Sequence, residues 1–201
     1  MSIFLDNNAT TRVVAPVRAA MAPFLDGDFA NPASPYASAQ RARAAVTRAR
    51  QDVAALIGST PGEIVFTSGG TESNNTVLAS VAKSTAQARI LASAVEHPSV
   101  REMALALAAR DCRVDAIPVT NHGVINVNTY CSALNTGYDL VSLMTANNET
   151  GILFPVDELA ATIVWSGSAG SSRAQLAFPV AARENESQLV FPVPGTVSYT
   201  H

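Results

Sequence analysis

Ile64-Val65-Phe66-Thr67-Ser68-Gly69-Gly70-Thr71-Glu72-Ser73-Asn74-Asn75 carries a β-branched and aromatic run through two glycines into a helix-compatible segment. The pattern predicts a strand over 63–68 and a helix over 72–85, joined by a tight turn. Without Cβ atoms, Gly69 and Gly70 let the backbone approach an anion closely. Thr71 and Glu72 stand where a helix N-terminus presents unpaired N–H groups and the positive end of its dipole. The turn therefore reads as a phosphate cup, with a ligand-free βα turn capped by Thr71 as the plainer alternative. Neither the spaced glycines of a dinucleotide fingerprint nor the Gly-Lys-Ser/Thr ending of a nucleoside triphosphate loop is present, so a cofactor with one phosphate is expected, pyridoxal phosphate first.

On either side of this turn, helical and strand periodicities alternate. Helices are expected over 15–27 and 38–58, the second carrying Arg41, Arg43, Arg48 and Arg50 among alanines. After 72–85 come a strand over 89–95, a helix over 98–110, a strand over 113–119, a helix over 126–134, a strand over 139–145 and a short helix over 157–164. Strands alternating with helices of this length imply crossover units, a mostly parallel sheet and a three-layer αβα architecture of the α/β class. Ligands in such sheets bind beyond the carboxyl ends of the strands, which selects the loops at 68–75, 95–98 and 146–151. From Ser166 the pattern changes to a Ser/Gly run, and prolines at 179, 192 and 194 interrupt two later apolar stretches, 175–180 and 188–193. The expected division is 1–161 as the α/β domain and 162–201 as an unrelated, poorly ordered tail, its apolar stretches at most edge strands.

Composition bounds the function. With 201 residues, 48% hydrophobic and 14% charged, the chain has material for one sizeable core. No apolar run approaches the roughly 18 residues that cross a bilayer, and the first residues lack a signal-peptide layout, so a cytoplasmic location away from membranes is expected. A net charge of −3 with scattered arginines argues against a nucleic-acid surface. Cys112 and Cys131 are the only cysteines and neither has metal-ligand spacing around it, so no disulfide and no metal site are expected.

Besides the cup, two loops carry polar groups suited to pyridoxal phosphate. Glu96-His97-Pro98 follows a strand and places an imidazole where it can stack on a pyridine ring; a histidine there also serves as a helix cap. In Ala146-Asn147-Asn148-Glu149-Thr150-Gly151 the amides can hydrogen-bond a ring hydroxyl; the same run also makes a turn.

Together with Phe4-Leu5-Asp6-Asn7-Asn8-Ala9-Thr10-Thr11 and Asn31-Pro32-Ala33-Ser34, these loops resemble one family over residues 3–161: the pyridoxal-phosphate-dependent cysteine desulfurases of fold type I, within the class V aminotransferases and nearest the nitrogen-fixation branch. The motifs 66–75, 95–98 and 146–155 carry the likeness in order and spacing. The resemblance implies an incomplete fold type I large domain in which Gly70 and Thr71 bind the cofactor phosphate. It also implies that His97 stacks on the pyridine ring, that Asn148 contacts the ring hydroxyl or the substrate, and that Asn8, Ala9 and Thr10 line the substrate entrance. The implied activity takes sulfur from L-cysteine as an enzyme persulfide, releases alanine and supplies iron–sulfur cluster assembly, with a homodimer and sulfur-accepting scaffold proteins as partners.

The chain also departs from the family. Tyr36 stands where a histidine is usual. The family's Schiff-base lysine lies in a later Ser-Gly-His-Lys motif after a strand aspartate, with a sulfur-accepting cysteine further on; beyond Ala161 this sequence has no Lys, Asp or Cys. Its one lysine, Lys83, falls about three helical turns past the cup, so no residue is assigned a catalytic role and covalent cofactor attachment is not expected. A chain inactive alone is the expectation, with 162–201 frameshifted, rearranged or replaced. The alternatives are a non-catalytic anion- or partner-binding fragment and a remnant of a related class V aminotransferase or selenocysteine lyase. In the family's sheet the strand matching 63–68 lies at one edge, separated from the others found here by three later strands, so its pairing is expected to be at risk.

Overall fold

The computed structural model describes residues 3–7 and 9–162, and the backbone of three short segments at 175–177, 179–180 and 199–200. The chain divides into two compact units, Met1–Ile64 and Val65–His201.

The first unit holds two helices. Helix α1 (Ala15–Asp26) starts with proline in its first turn and buries no residue. Helix α2 (Ala37–Ile57) buries Ala39, Ala42, Ala54 and Ile57 and ends on Gly58, whose φ of 68° takes the left-handed cap that a side chain would strain. Ala54 and Ile57 pack with Ile64 beyond the 3₁₀ turn Pro61–Glu63. The arginines on α2 hold nearby loops: Arg43 donates to the carbonyls of Pro32 and Ser34 at 2.8 and 2.7 Å, and Arg41 pairs with Asp28 at 3.0 Å.

The second unit is the α/β layer. Helix α3 (Gly70–Ser84), strand β1 (Arg89–Ser93), helix α4 (Pro98–Ala108), strand β2 (Arg113–Ile117), helix α5 (Val127–Leu134), strand β3 (Leu140–Ser142) and helix α6 (Val156–Ala161) follow in alternation. All strand pairs are parallel, in the order β2-β1-β3-β4, where β4 is Gln175–Ala177. Successive strand residues point to opposite faces, and each face has its own core. Ile90 and Leu140 pack with Val77, Leu78 and Val81 of α3 and Val100 and Leu107 of α4. Leu91 and Ile117 pack on the other face with Tyr130 of α5, Met144, Phe154 and Leu159 of α6. These two apolar layers fix the three-layer αβα architecture. Each fully buried Ile or Leu in them contributes roughly 1.5–3 kcal/mol.

Two expectations fail. No strand forms over 63–68: residues 61–63 make the 3₁₀ turn and 64–67 belong to no ladder, with Val65 57% and Phe66 50% exposed. A strand needs a neighbour, and the described sheet, β2-β1-β3-β4, pairs its members without this segment. Helix α3 also begins earlier than expected, at Gly70 with Gly69 as N-cap, which puts Thr71 inside the first turn rather than at the cap. The glycines permit that start, and the Glu72 carboxylate reaches back to accept the Ser68 N–H at 2.6 Å, holding the turn closed.

Part of the 175–180 stretch does pair, as β4 alongside β3, while Pro179–Val180 pairs with Tyr199–Thr200. The Ser/Gly run at 166–172 and the stretch 188–193 lie outside the described residues.

Candidate functional site

Parallel strands deliver β1 and β3 to one end of the sheet, and the expected loops meet there through hydrogen bonds. The first comes from α3. Its opening N–H groups precede any intrahelical acceptor, and Ser73 N–H is the first to bond back, to Gly69 O at 3.1 Å. Thr71 is exposed, Gly70 half-buried, and the place where a Cβ would stand on Gly69 has no atom within 4 Å. Glu72, exposed beside it, has its pKa lowered by its bonds to Ser68 and stays ionised.

The second loop leaves β1. His97 is the N-cap of α4, followed by Pro98 in the first turn, and its Nδ1 accepts the Ser99 N–H at 3.1 Å. The capping reading holds; it uses only one ring nitrogen, and the residue is exposed. Ser99 Oγ lies 2.8 Å from Nδ1 and accepts from Asn74 Nδ2 of α3 at 2.8 Å. Helix α3 and the imidazole are thereby joined.

Glu96, one residue earlier, is 7% exposed. Its Oε1 accepts from Ser93 Oγ at 2.8 Å and from Met144 N–H at 2.9 Å, clamping the end of β1 to the chain leaving β3. Burial pushes its pKa up, partly opposed by those two bonds.

The third loop turns at 147–150. Asn147 is buried; its Oδ1 accepts from Glu149 N, Thr150 N and Thr150 Oγ1 at 3.0, 2.9 and 3.1 Å, and its Nδ2 donates to Val95 O at 3.3 Å. Gly151, at φ 72°, closes the turn so that Asn147 N–H meets Ile152 O at 2.8 Å. Asn148 is left exposed at the tip, donating to Glu149 Oε1 at 3.1 Å.

Gly70, Thr71 and His97 are thus on elements bonded to one another, and Asn148 is on a loop bonded to the same strand end. Asn8 lies outside the described residues; Ala9 and Thr10 are exposed in a turn of the first unit, with their N–H groups on Asp6 O at 3.3 and 3.4 Å. Lys83 is exposed in the last turn of α3. Cys112 and Cys131 are free, half-buried thiols packed against the two cores. Among the described residues, no group of three or more His, Cys, Asp or Glu side chains is placed to hold a metal, and no helix is long and apolar enough to cross a membrane. Sequence reasoning missed Glu96, Ser99, Asn74 and Asn147 as the residues that hold the loops; the one available signal was the Asn-x-x-Thr-Gly spacing of an Asx turn ending on a left-handed glycine.

Residues 3–168 match the aminotransferase class-V family, and the chain belongs to that family. It is 42% identical to a cysteine desulfurase of Azotobacter chroococcum over 158 residues, 79% of this chain and 40% of the relative. Among solved structures, a NifS-like protein superposes with a TM-score of 0.79 at 31% identity, covering 90% of this chain and 49% of that one. SspA in complex with cysteine gives 0.71 at 26% identity, covering 85% and 48%. The chain therefore spans about two fifths of the curated relatives' length and about half of the solved neighbours.

Proposed function

We propose that this chain is a cysteine desulfurase-type protein whose own residues form the non-covalent cradle for pyridoxal phosphate. The observation that carries the reading is the bonded junction of helix α3 with the exposed imidazole of His97 through Asn74 and Ser99. The donor set suits a phosphate monoester: unpaired backbone N–H groups at Gly70 and Thr71, the Thr71 hydroxyl and the positive end of a 15-residue helix. When bound, the cofactor supplies an electron sink for bonds at the α-carbon of an amino acid.

In this reading Gly70 and Thr71 hold the phosphate, His97 lies against the pyridine ring and Asn148 meets the ring hydroxyl or the substrate. Lys83 plays no part. L-cysteine is the substrate of the class, a choice supported by the cysteine-bound structural neighbour. A cytoplasmic homodimer passing sulfur to scaffold proteins is the setting the reading implies.

Calorimetric titration with pyridoxal phosphate tests it. Loss of a hydrogen bond to a charged group costs roughly 1.5–3 kcal/mol, so Thr71→Ala should weaken binding about tenfold or more. Lys83→Ala should leave the affinity unchanged, and borohydride treatment should trap no adduct on Lys83. Equal affinity in wild type and Thr71→Ala would place the anion elsewhere.

A further inference from the structure

His97 ends a hydrogen-bond chain that starts on the cup helix. The Ser99 backbone N–H can only donate, so the Nδ1 it meets at 3.1 Å is the unprotonated nitrogen of the ring. The Ser99 hydroxyl, 2.8 Å from the same Nδ1, therefore gives its single hydrogen there, and its lone pair takes the Asn74 Nδ2 hydrogen at 2.8 Å. The three groups have one mutually consistent polarity, running from amide to hydroxyl to imidazole. Ser99 is buried, so water does not compete for these bonds. The ring proton is left on Nε2. Asn74 stands three residues after Thr71, on the same face of α3, so the chain begins beside the proposed phosphate donors.

We propose that Asn74 and Ser99 are positioning residues for His97: together they fix its imidazole as the Nε2–H tautomer and lock the ring's orientation to the helix that carries Gly70 and Thr71. The inference rests on the reading of His97 as the cofactor-facing ring. It goes beyond that reading by assigning the residues that set the ring's tautomer and orientation.

Asn74→Asp is the sharpest test, because it keeps the shape and reverses the polarity. A carboxylate at 74 accepts the Ser99 hydroxyl hydrogen and withdraws it from Nδ1. In the cofactor-free protein at about pH 8, where an ordinary imidazole is neutral, ¹⁵N spectra should show His97 as Nε2–H in the wild type. In Asn74→Asp and in Ser99→Ala only the longer Ser99 N–H bond still holds Nδ1 unprotonated, so the two ring nitrogens should draw partly together in shift as some of the Nδ1–H form becomes populated. Ser99→Thr, which restores a hydroxyl, should return them. Pyridoxal phosphate affinity should fall about three- to tenfold in the first two variants. If the shifts respond but the wild-type chain has no affinity for the cofactor, the functional reading fails and the chain of bonds stands. If both variants keep their helical circular dichroism and the His97 shifts stay at the wild-type values, the proposal is overturned, whether or not cofactor binds.

Discussion

In β1, Ile90 and Leu91 are sealed into opposite cores, at 0% and 1% exposure, with β2 on one side of the strand and β3 on the other. Val65 and Phe66, drawn from the same kind of β-forming sequence, are more than or about half exposed and lie in no ladder. Both stretches precede a helix, and both would be read as strands from residue type alone. The difference is one of neighbours. A strand is stabilised by ladder partners and by an apolar layer on each face; β-propensity without them leaves an extended segment.

The comparison makes its own predictions. Ile90→Ala should be the most damaging change, about 2–5 kcal/mol in denaturant unfolding, because the fully buried site leaves a cavity that parallel neighbours cannot close. A cost below about 1 kcal/mol would mean that β1 is not the core strand described. Next is the clamp at the end of β1. Glu96→Ala leaves the Met144 N–H without its acceptor and should cost about 1–3 kcal/mol.

Glu96→Gln keeps an Oε1 for both bonds but removes the ionisation. Because burial raises the Glu96 pKa, the folded chain binds that proton more tightly than the unfolded one. The stability this carries is complete below the ordinary carboxylate range and is lost as pH rises through the raised value. Wild-type stability relative to Glu96→Gln should therefore decline across that window; a parallel pair of pH profiles would show that Glu96 is not desolvated. The smallest effect belongs to the other region. Val65→Ser should change stability by less than about 0.5 kcal/mol, and a loss of several kcal/mol would show that the segment is packed after all.

Much of the α/β layer was legible because periodicity is a local property. Helices α1 to α5 were expected within one or two residues of their ends, and three of the strands were found, each drawn too long: 89–95 for Arg89–Ser93, 113–119 for Arg113–Ile117 and 139–145 for Leu140–Ser142. The surplus residues still look β-forming but turn away as loops; Val119 bridges back to Ile125, and Ala146, just past the third expected strand, to Leu153. The placement of the candidate site's loops was legible to the same depth. His97 and Thr71 stand out by type, but Glu96 is buried by a bond to Met144, 48 residues away, and no local pattern encodes that. Asn147 and Asn148 are indistinguishable in sequence; one organises the turn from inside and the other is displayed at its tip, a division set by the reach to Val95. The strand expected at 63–68 failed for the same reason, since pairing is decided by what lies alongside.

Strand β1 takes its second neighbour late. Ile90 pairs with Leu140, and Arg89 N–H bonds Asp139 Oδ2 across 50 residues of sequence. During synthesis at roughly 5–20 residues per second, a ribosome needs about 3–10 s to add that length. Until Arg113–Ile117 is made, about halfway through that interval, the nascent chain carries Ile90 and Leu91 with both edges of the strand open, and from then until Leu140 with one; it is then that a chaperone has something to hold.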